Sequence, residues 1–192
     1  MRALIVTEFV SLDGVMEAPG GEPGYAHSGW VADSFNDELG AYKQEEQLAA
    51  DILLLGRTTY ESFSGAWPSR EGAMADKINT MPKFVASTML QTLEWENASL
   101  LDLPVTAAVA DLKRGDGGPI LVAGSRALVH TLLDAGLVDE LHLQVFPLVL
   151  GSGARLYPEK PTTTPLTLTS STSLSTGVLL LTYTTFDTPH TV

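Results

Sequence analysis

Residues 51–63 read DILLLGRTTYESF, and this stretch decides the fold. Ile52 to Leu55 form a short, unbroken apolar run bounded by a glycine, which reads as a buried strand. Gly56 ends it, and RTTYESF (57–63) opens as a helix with no linker between them. A buried strand that turns straight into a helix is the building unit of α/β proteins.

Working outward, ALIVTEFV (3–10) is a first buried strand, and SLDGVMEAPGGEPGYAHSGW (11–30) is a long Gly/Pro-rich loop. Loops of that length in a compact domain are usually functional or mobile. DSFNDELGAYKQEEQLAA (33–50) places Phe35, Leu39 and Tyr42 at helical spacing, with Asp33 or Ser34 as the opening cap. Beyond residue 63, a helical stretch is expected over 71–79, a third strand in KFVAST (83–88), and one or two short strands in TLEWENASLL (92–101). PVTAAVADLKRG (104–115) reads as a helix closed by Gly115, and GGPILVAGS (117–125) as a strand between glycines. RALVHTLLDAG (126–136) is a helix with Leu128, Leu132 and Leu133 on one stripe. VDELHLQVFPLVLG (138–151) starts a strand that Pro147 must interrupt or end. Residues 164–186 read as two strands joined at Ser175-Thr176-Gly177. The expectation is a single α/β domain over 1–188, with a mainly parallel central sheet, flanking helices and a C-terminal antiparallel hairpin. Residues 189–192 read as a tail.

Composition narrows the function. Of 192 residues, 44 % are hydrophobic and 18 % charged, which suffices for a full core. No cysteine is present, which removes disulfides, zinc ribbons, Fe–S clusters and thiol nucleophiles and fits a reducing, cytoplasmic interior. No run approaches the roughly 20 apolar residues that a membrane helix needs. The net charge of −12 repels phosphate backbones, so nucleic acid is not an expected partner. An anionic ligand would need local devices: a helix N-terminus, a glycine turn or a placed arginine. His27, His130, His142 and His190 lack i, i+4 partners, so no metal site is expected.

Ligands of open α/β sheets bind at the carboxyl ends of strands. At the first junction, Gly56, Arg57, Thr58 and Thr59 could form a phosphate cradle; a plain helix cap with a solvated arginine is the alternative. At a second, Gly124 and Ser125 could do the same, against an ordinary Ser125 cap. Ser87 and Thr88 end the third strand. Asp13 lies just past the first strand, in what could equally be a simple Asp-Gly turn. Asp33, Asp37 and Glu38 crowd a helix start, where one could relay a proton or all could complement the dipole.

Together these segments resemble the dihydrofolate reductase-like superfamily, and within it the reductase domain of riboflavin biosynthesis, the RibD C-terminal type. SLDG (11–14), LLGRTTYESF (54–63), KFVAST, ILVAGSRALVHTLL (120–133) and VDELHLQVFPLVLGSGARLY (138–157) carry the resemblance. The last is the most specific, with Asp-Glu, then Pro, then Gly-Ser-Gly before Leu-Tyr. The resemblance implies an NADPH-dependent oxidoreductase that passes hydride to a small pyrimidine- or pterin-like substrate. The riboflavin-type activity would be 5-amino-6-(5-phosphoribosylamino)uracil reduction. It implies Arg57 at the cofactor's 2′-phosphate and Thr58 or Thr59 at the diphosphate. Ser87 and Thr88 would flank the adenosine, and Gly124, Ser125 and Arg126 would form the second diphosphate turn. Asp13 would lie near the nicotinamide and substrate.

The chain also departs from that pattern. The cysteine ligands of the companion zinc deaminase are absent, and Lys43 is the only base in residues 33–50. Asp37 is the best match to the early helix carboxylate of folate enzymes. The proton donor is therefore expected to be Asp37, Asp13 or a water, with the first loop closing and Trp30 or Tyr25 as its wall. A folate reductase proper and a catalytically silent NADP-binding module are the alternatives. The riboflavin-type relatives suggest a homodimer.

Overall fold

The computed structural model describes residues 1–157 and 163–185. Eight strands form one sheet in the order β4-β3-β2-β5-β1-β6-β8-β7. The parallel strands are β1 (Leu4–Ser11), β2 (Ile52–Gly56), β3 (Lys83–Ala86), β4 (Ala98–Leu100), β5 (Ile120–Val122) and β6 (Glu140–Phe146). β7 (Leu166–Ser173) and β8 (Leu179–Thr185) form an antiparallel hairpin laid against β6. The helices are α1 (Asp37–Ala49), α2 (Arg57–Ala66), α3 (Ala73–Thr80), α4 (Val105–Arg114) and α5 (Arg126–Asp134). No helix of the described residues is long and apolar enough to cross a membrane.

This is the expected α/β architecture. Helices cover both faces of the parallel part, so β2 is buried along its whole length. One face packs Leu4, Val6, Val10, Leu54 and Val122 against Val109 of α4 and Leu128, Val129 and Leu132 of α5. The other packs Leu53, Leu55, Val85 and Leu121 against Tyr60 of α2 and Ile78 of α3. Each fully buried Leu, Ile or Val contributes about 1.5–3 kcal/mol relative to exposure.

Several boundaries differ from the expectation. α1 opens at Asp37 and is capped by Asn36, whose side chain accepts from Leu39 N at 3.1 Å; neither Asp33 nor Ser34 caps it. Those two residues instead close a 3-10 turn over Ala32–Ser34, and the extended backbone at Phe35 keeps that turn from joining α1. β5 spans only three residues, because its glycine-rich flanks turn away. The stretch 92–101 yields one strand, β4. β6, by contrast, stops at Phe146 as expected, just before Pro147, which cannot donate to a ladder. The expected tail at 189–192 lies outside the described residues.

Candidate active site

The carboxyl ends of β2 and β5 meet. Gly56 N donates to Gly124 O at 3.1 Å, so the two expected turns share one groove. A Cβ on Gly56 would lie 2.1 Å from Ser125 Oγ and 2.9 Å from Ser125 N. Only glycine permits that approach. Gly124 has φ +90°, and a Cβ there would meet Thr59 Oγ1 at 2.7 Å. Gly56 and Ser125 are the N-caps of α2 and α5, and neither helix start has a side-chain cap bond. Ser125 is therefore not an ordinary cap. The backbone N–H groups of two helix starts, with their partial positive charge, lie beside one another. The two glycine positions and this pair of uncapped helix starts fit a diphosphate.

The other expected cofactor residues are spread around this groove. Thr59 is half-buried against Gly124, whereas Thr58 and Arg126 are exposed. Arg57 is part-exposed and pairs with Glu61 one turn along α2 at 3.2 Å. Such a pair is worth a few tenths of a kcal/mol, so the guanidinium is cheaply released to a better anion. Ser87 Oγ accepts from Met89 N at 3.1 Å and Leu90 N at 3.0 Å, closing the turn after β3, and Thr88 is exposed.

The two expected proton donors are placed differently. Asp13 accepts from Ser11 Oγ at 2.7 Å, Leu150 N at 3.1 Å and Gly151 N at 2.9 Å. These bonds, the one from Ser11 foremost, hold its carboxyl down at about 2. At neutral pH it is an anion clamping the 147–155 loop, with no proton to give. Asp37 is exposed in the first turn of α1. The first loop is pinned across the same end: Trp30 Nε1 donates to Glu17 O at 2.8 Å, and its ring meets Phe146 edge-on at 5.2 Å. Tyr25 Oη donates to Ser152 O at 2.6 Å.

A polar network that the sequence reading missed lies on the α1 side of β1. Glu46 accepts from Thr7 Oγ1 at 2.9 Å, meets His142 Nδ1 at 2.8 Å and pairs with Lys43. His142 Nε2 meets Glu140 Oε2 at 3.0 Å, and Gln144 Nε2 lies 3.4 Å from Thr7 Oγ1. Burial would raise the Glu46 pKa, but Lys43 and His142 overcome it and hold the carboxyl at about 2. Burial would lower the His142 pKa, but its bonds to Glu46 and Glu140 outweigh that and raise it. A carboxylate at each nitrogen favours the imidazolium form of His142. The spacings Lys43/Glu46 and His142/Gln144 put each pair on one face of its element; nothing in the sequence joins the pairs.

β1 holds a second missed group. Glu8 is 8 % exposed, and burial pushes its carboxyl up to about 8, with Lys43 opposing and Glu46 adding to the rise. An acid inside the otherwise apolar ALIVTEFV run was the available signal. Two cavities lie elsewhere. One of about 630 Å³ is lined by Tyr60, Asn79 and Trp95; one of about 560 Å³ lies by Arg2, Asp51 and Gly115, at the amino ends of the strands. Neither includes Gly56 or Gly124. Among the described residues, no cluster of three His, Cys, Asp or Glu side chains could hold a metal.

The same architecture recurs in solved structures. A candidate riboflavin biosynthesis protein from Shewanella sp. PV-4 superposes with a TM-score of 0.73 at 22 % identity, covering 96 % of this chain and 99 % of that one. A Thermotoga maritima diaminohydroxyphosphoribosylaminopyrimidine deaminase/5-amino-6-(5-phosphoribosylamino)uracil reductase superposes with a TM-score of 0.69 at 15 % identity. The match covers 96 % of this chain and 57 % of that longer one. YyaP of Bacillus subtilis (strain 168), an uncharacterized protein, is 25 % identical over 187 residues, covering 95 % of this chain and 94 % of YyaP. The family model for the RibD C-terminal domain matches residues 2–180. With that near-complete match, the chain belongs to the RibD C-terminal domain family.

Proposed function

We propose that the protein is an NADPH-dependent reductase acting on a small pyrimidine- or pterin-like substrate. One observation carries the reading: the contact of Gly56 with Gly124–Ser125, which joins two uncapped helix starts into an anion cradle. Backbone amides there would hold the diphosphate, with Thr58 and Thr59 adding hydroxyls. Arg57 would leave Glu61 for the 2′-phosphate, and Arg126 stands at the start of α5. Ser87 and Thr88 would flank the adenosine. When bound, NADPH supplies the hydride.

The chain's own groups orient and protonate. Trp30, held edge-on to Phe146, would wall the α1 side of the site against water. His142, whose ring Glu46 and Glu140 fix, would be the proton donor of that face, turning its Nε2 from the part-exposed Glu140 to the substrate. This replaces Asp13, whose carboxyl is ionised and fully engaged.

Titration with NADPH should quench tryptophan emission or blue-shift the cofactor's fluorescence. Silence at millimolar cofactor overturns the reading. Arg57→Ala should weaken NADPH by about tenfold or more and NADH far less, because only NADPH carries the extra phosphate. Equal losses would reassign Arg57. Binding without oxidation by any pyrimidine or pterin substrate would mark a silent NADP-binding module.

A second copy of the chain is the expected partner. β7 is the outer edge of the sheet, with Leu168 50 % and Leu179 of β8 38 % exposed. Light scattering should give twice 20.5 kDa; a monomer mass overturns this.

A further inference from the structure

β1 sends one acid toward the glycine turn. Glu8 lies on the face of β1 that carries Leu4, Val6 and Val10, opposite Leu143 of β6. It is 8 % exposed, and its Oε1 has no hydrogen-bond partner. That oxygen lies 3.7 Å from the point a Cβ on Gly124 would occupy, and Thr59 Oγ1 lies 2.7 Å from the same point. A buried, unpartnered oxygen is costly and is seldom kept without a use. Here it lies against Gly124, between the uncapped starts of α2 and α5.

The surroundings favour the neutral acid. From α1, Lys43 and Glu46 act on Glu8 in opposite senses, and Lys43 is already paired with Glu46. On β6, His142 is held by Glu46 and Glu140. From α2 and α5 the nearest groups at the turn are the uncharged Thr59 and Ser125. Burial dominates and carries the carboxyl up to about 8. A protonated carboxyl can both donate and accept; a carboxylate only accepts, and it would repel phosphate.

We propose that Glu8 is a positioning residue of the dinucleotide site: as the neutral acid it hydrogen-bonds an uncharged polar group of the ligand, an amide or a hydroxyl, lying against Gly124. The inference rests on the NADPH reading above. It makes binding depend on a proton held within the sheet, beneath the anion cradle rather than in it.

The test is the NADPH dissociation constant from pH 6 to 10 for wild type, E8Q and E8L. Wild type should weaken by up to about tenfold per pH unit above the ionisation of Glu8. E8Q keeps a neutral donor and should abolish that alkaline weakening. E8L has similar size and no polar atom; it should bind at least about tenfold more weakly than E8Q at pH 7, while its melting temperature shows that it is folded. Repeating the series with 2′-phospho-ADP-ribose, which lacks the nicotinamide, assigns the bond to the amide or to a sugar hydroxyl. An E8Q profile that falls like wild type, or E8L binding as tightly as E8Q, overturns the role of Glu8 alone. A wild-type protein that does not bind NADPH at any pH overturns the functional reading and this proposal with it.

Discussion

A Glu46→Ala protein is expected to lose about 3 kcal/mol of stability or more, measured as a shift in the urea midpoint at constant slope. Glu46 is the shared acceptor of Lys43, Thr7 and His142. The side chains of Lys43, Glu46 and His142 are 13 %, 6 % and 15 % exposed, so water replaces little of what is removed. Without the carboxylate, Lys43 keeps only Thr7 and the Phe9 ring, at 2.6 Å and 5.4 Å. A loss below about 1 kcal/mol would show that the network is solvated and no stronger than a surface pair.

The pH dependence should follow the same groups. Glu46 has a pKa lowered to about 2, so its contribution is present above the ordinary carboxylate range and fades as pH falls toward 2. His142 is raised, so its contribution is complete below its ordinary value and is lost as pH climbs through the folded one. Glu8 is raised to about 8, so its contribution is complete below the ordinary carboxylate range and is lost as pH rises to about 8. Glu46→Ala should therefore flatten part of the acid limb, leaving what Asp13 contributes there, and should move the Glu8 limb to lower pH, because Glu46 adds to the rise of that carboxyl.

Gly124→Ala is expected to lose about 1–3 kcal/mol of stability and at least about tenfold in NADPH affinity. The stability loss follows from φ +90°, and the affinity loss from a methyl group placed 2.7 Å from Thr59 Oγ1, inside the cradle. Gly72→Ala separates the two effects. Gly72 has φ +103° with nothing within 4 Å of the added Cβ. It should lose stability and keep affinity. If Gly124→Ala bound NADPH as wild type does, the cradle would not be the cofactor site.

Local chemistry made much of this readable. Ile52–Leu55 needed burial on both faces, and Gly56 had to end the strand, whatever lay nearby. Ser175-Thr176-Gly177 marked the hairpin in the same way. The start of α1 departs from the reading because Asp33 and Ser34, though good capping residues, lie within a 3-10 turn that the extended Phe35 separates from the helix; Asn36 takes the cap. Asp13 was read as a possible proton donor because its partners, Leu150 and Gly151, lie 137 and 138 residues away.

The order of apolar runs, glycines and helical stripes determined a mainly parallel α/β sheet and marked Gly56 and Gly124 as turns at strand ends. Hydrophobic periodicity and backbone sterics act over a few residues, so a sequence displays them directly. Only the folded chain decided that those turns touch, that Glu46 gathers Lys43, Thr7 and His142, and that Glu8 ends unpartnered beneath Gly124. Hydrogen bonding and desolvation depend on which distant groups share a space, and the packing of strands and helices sets that.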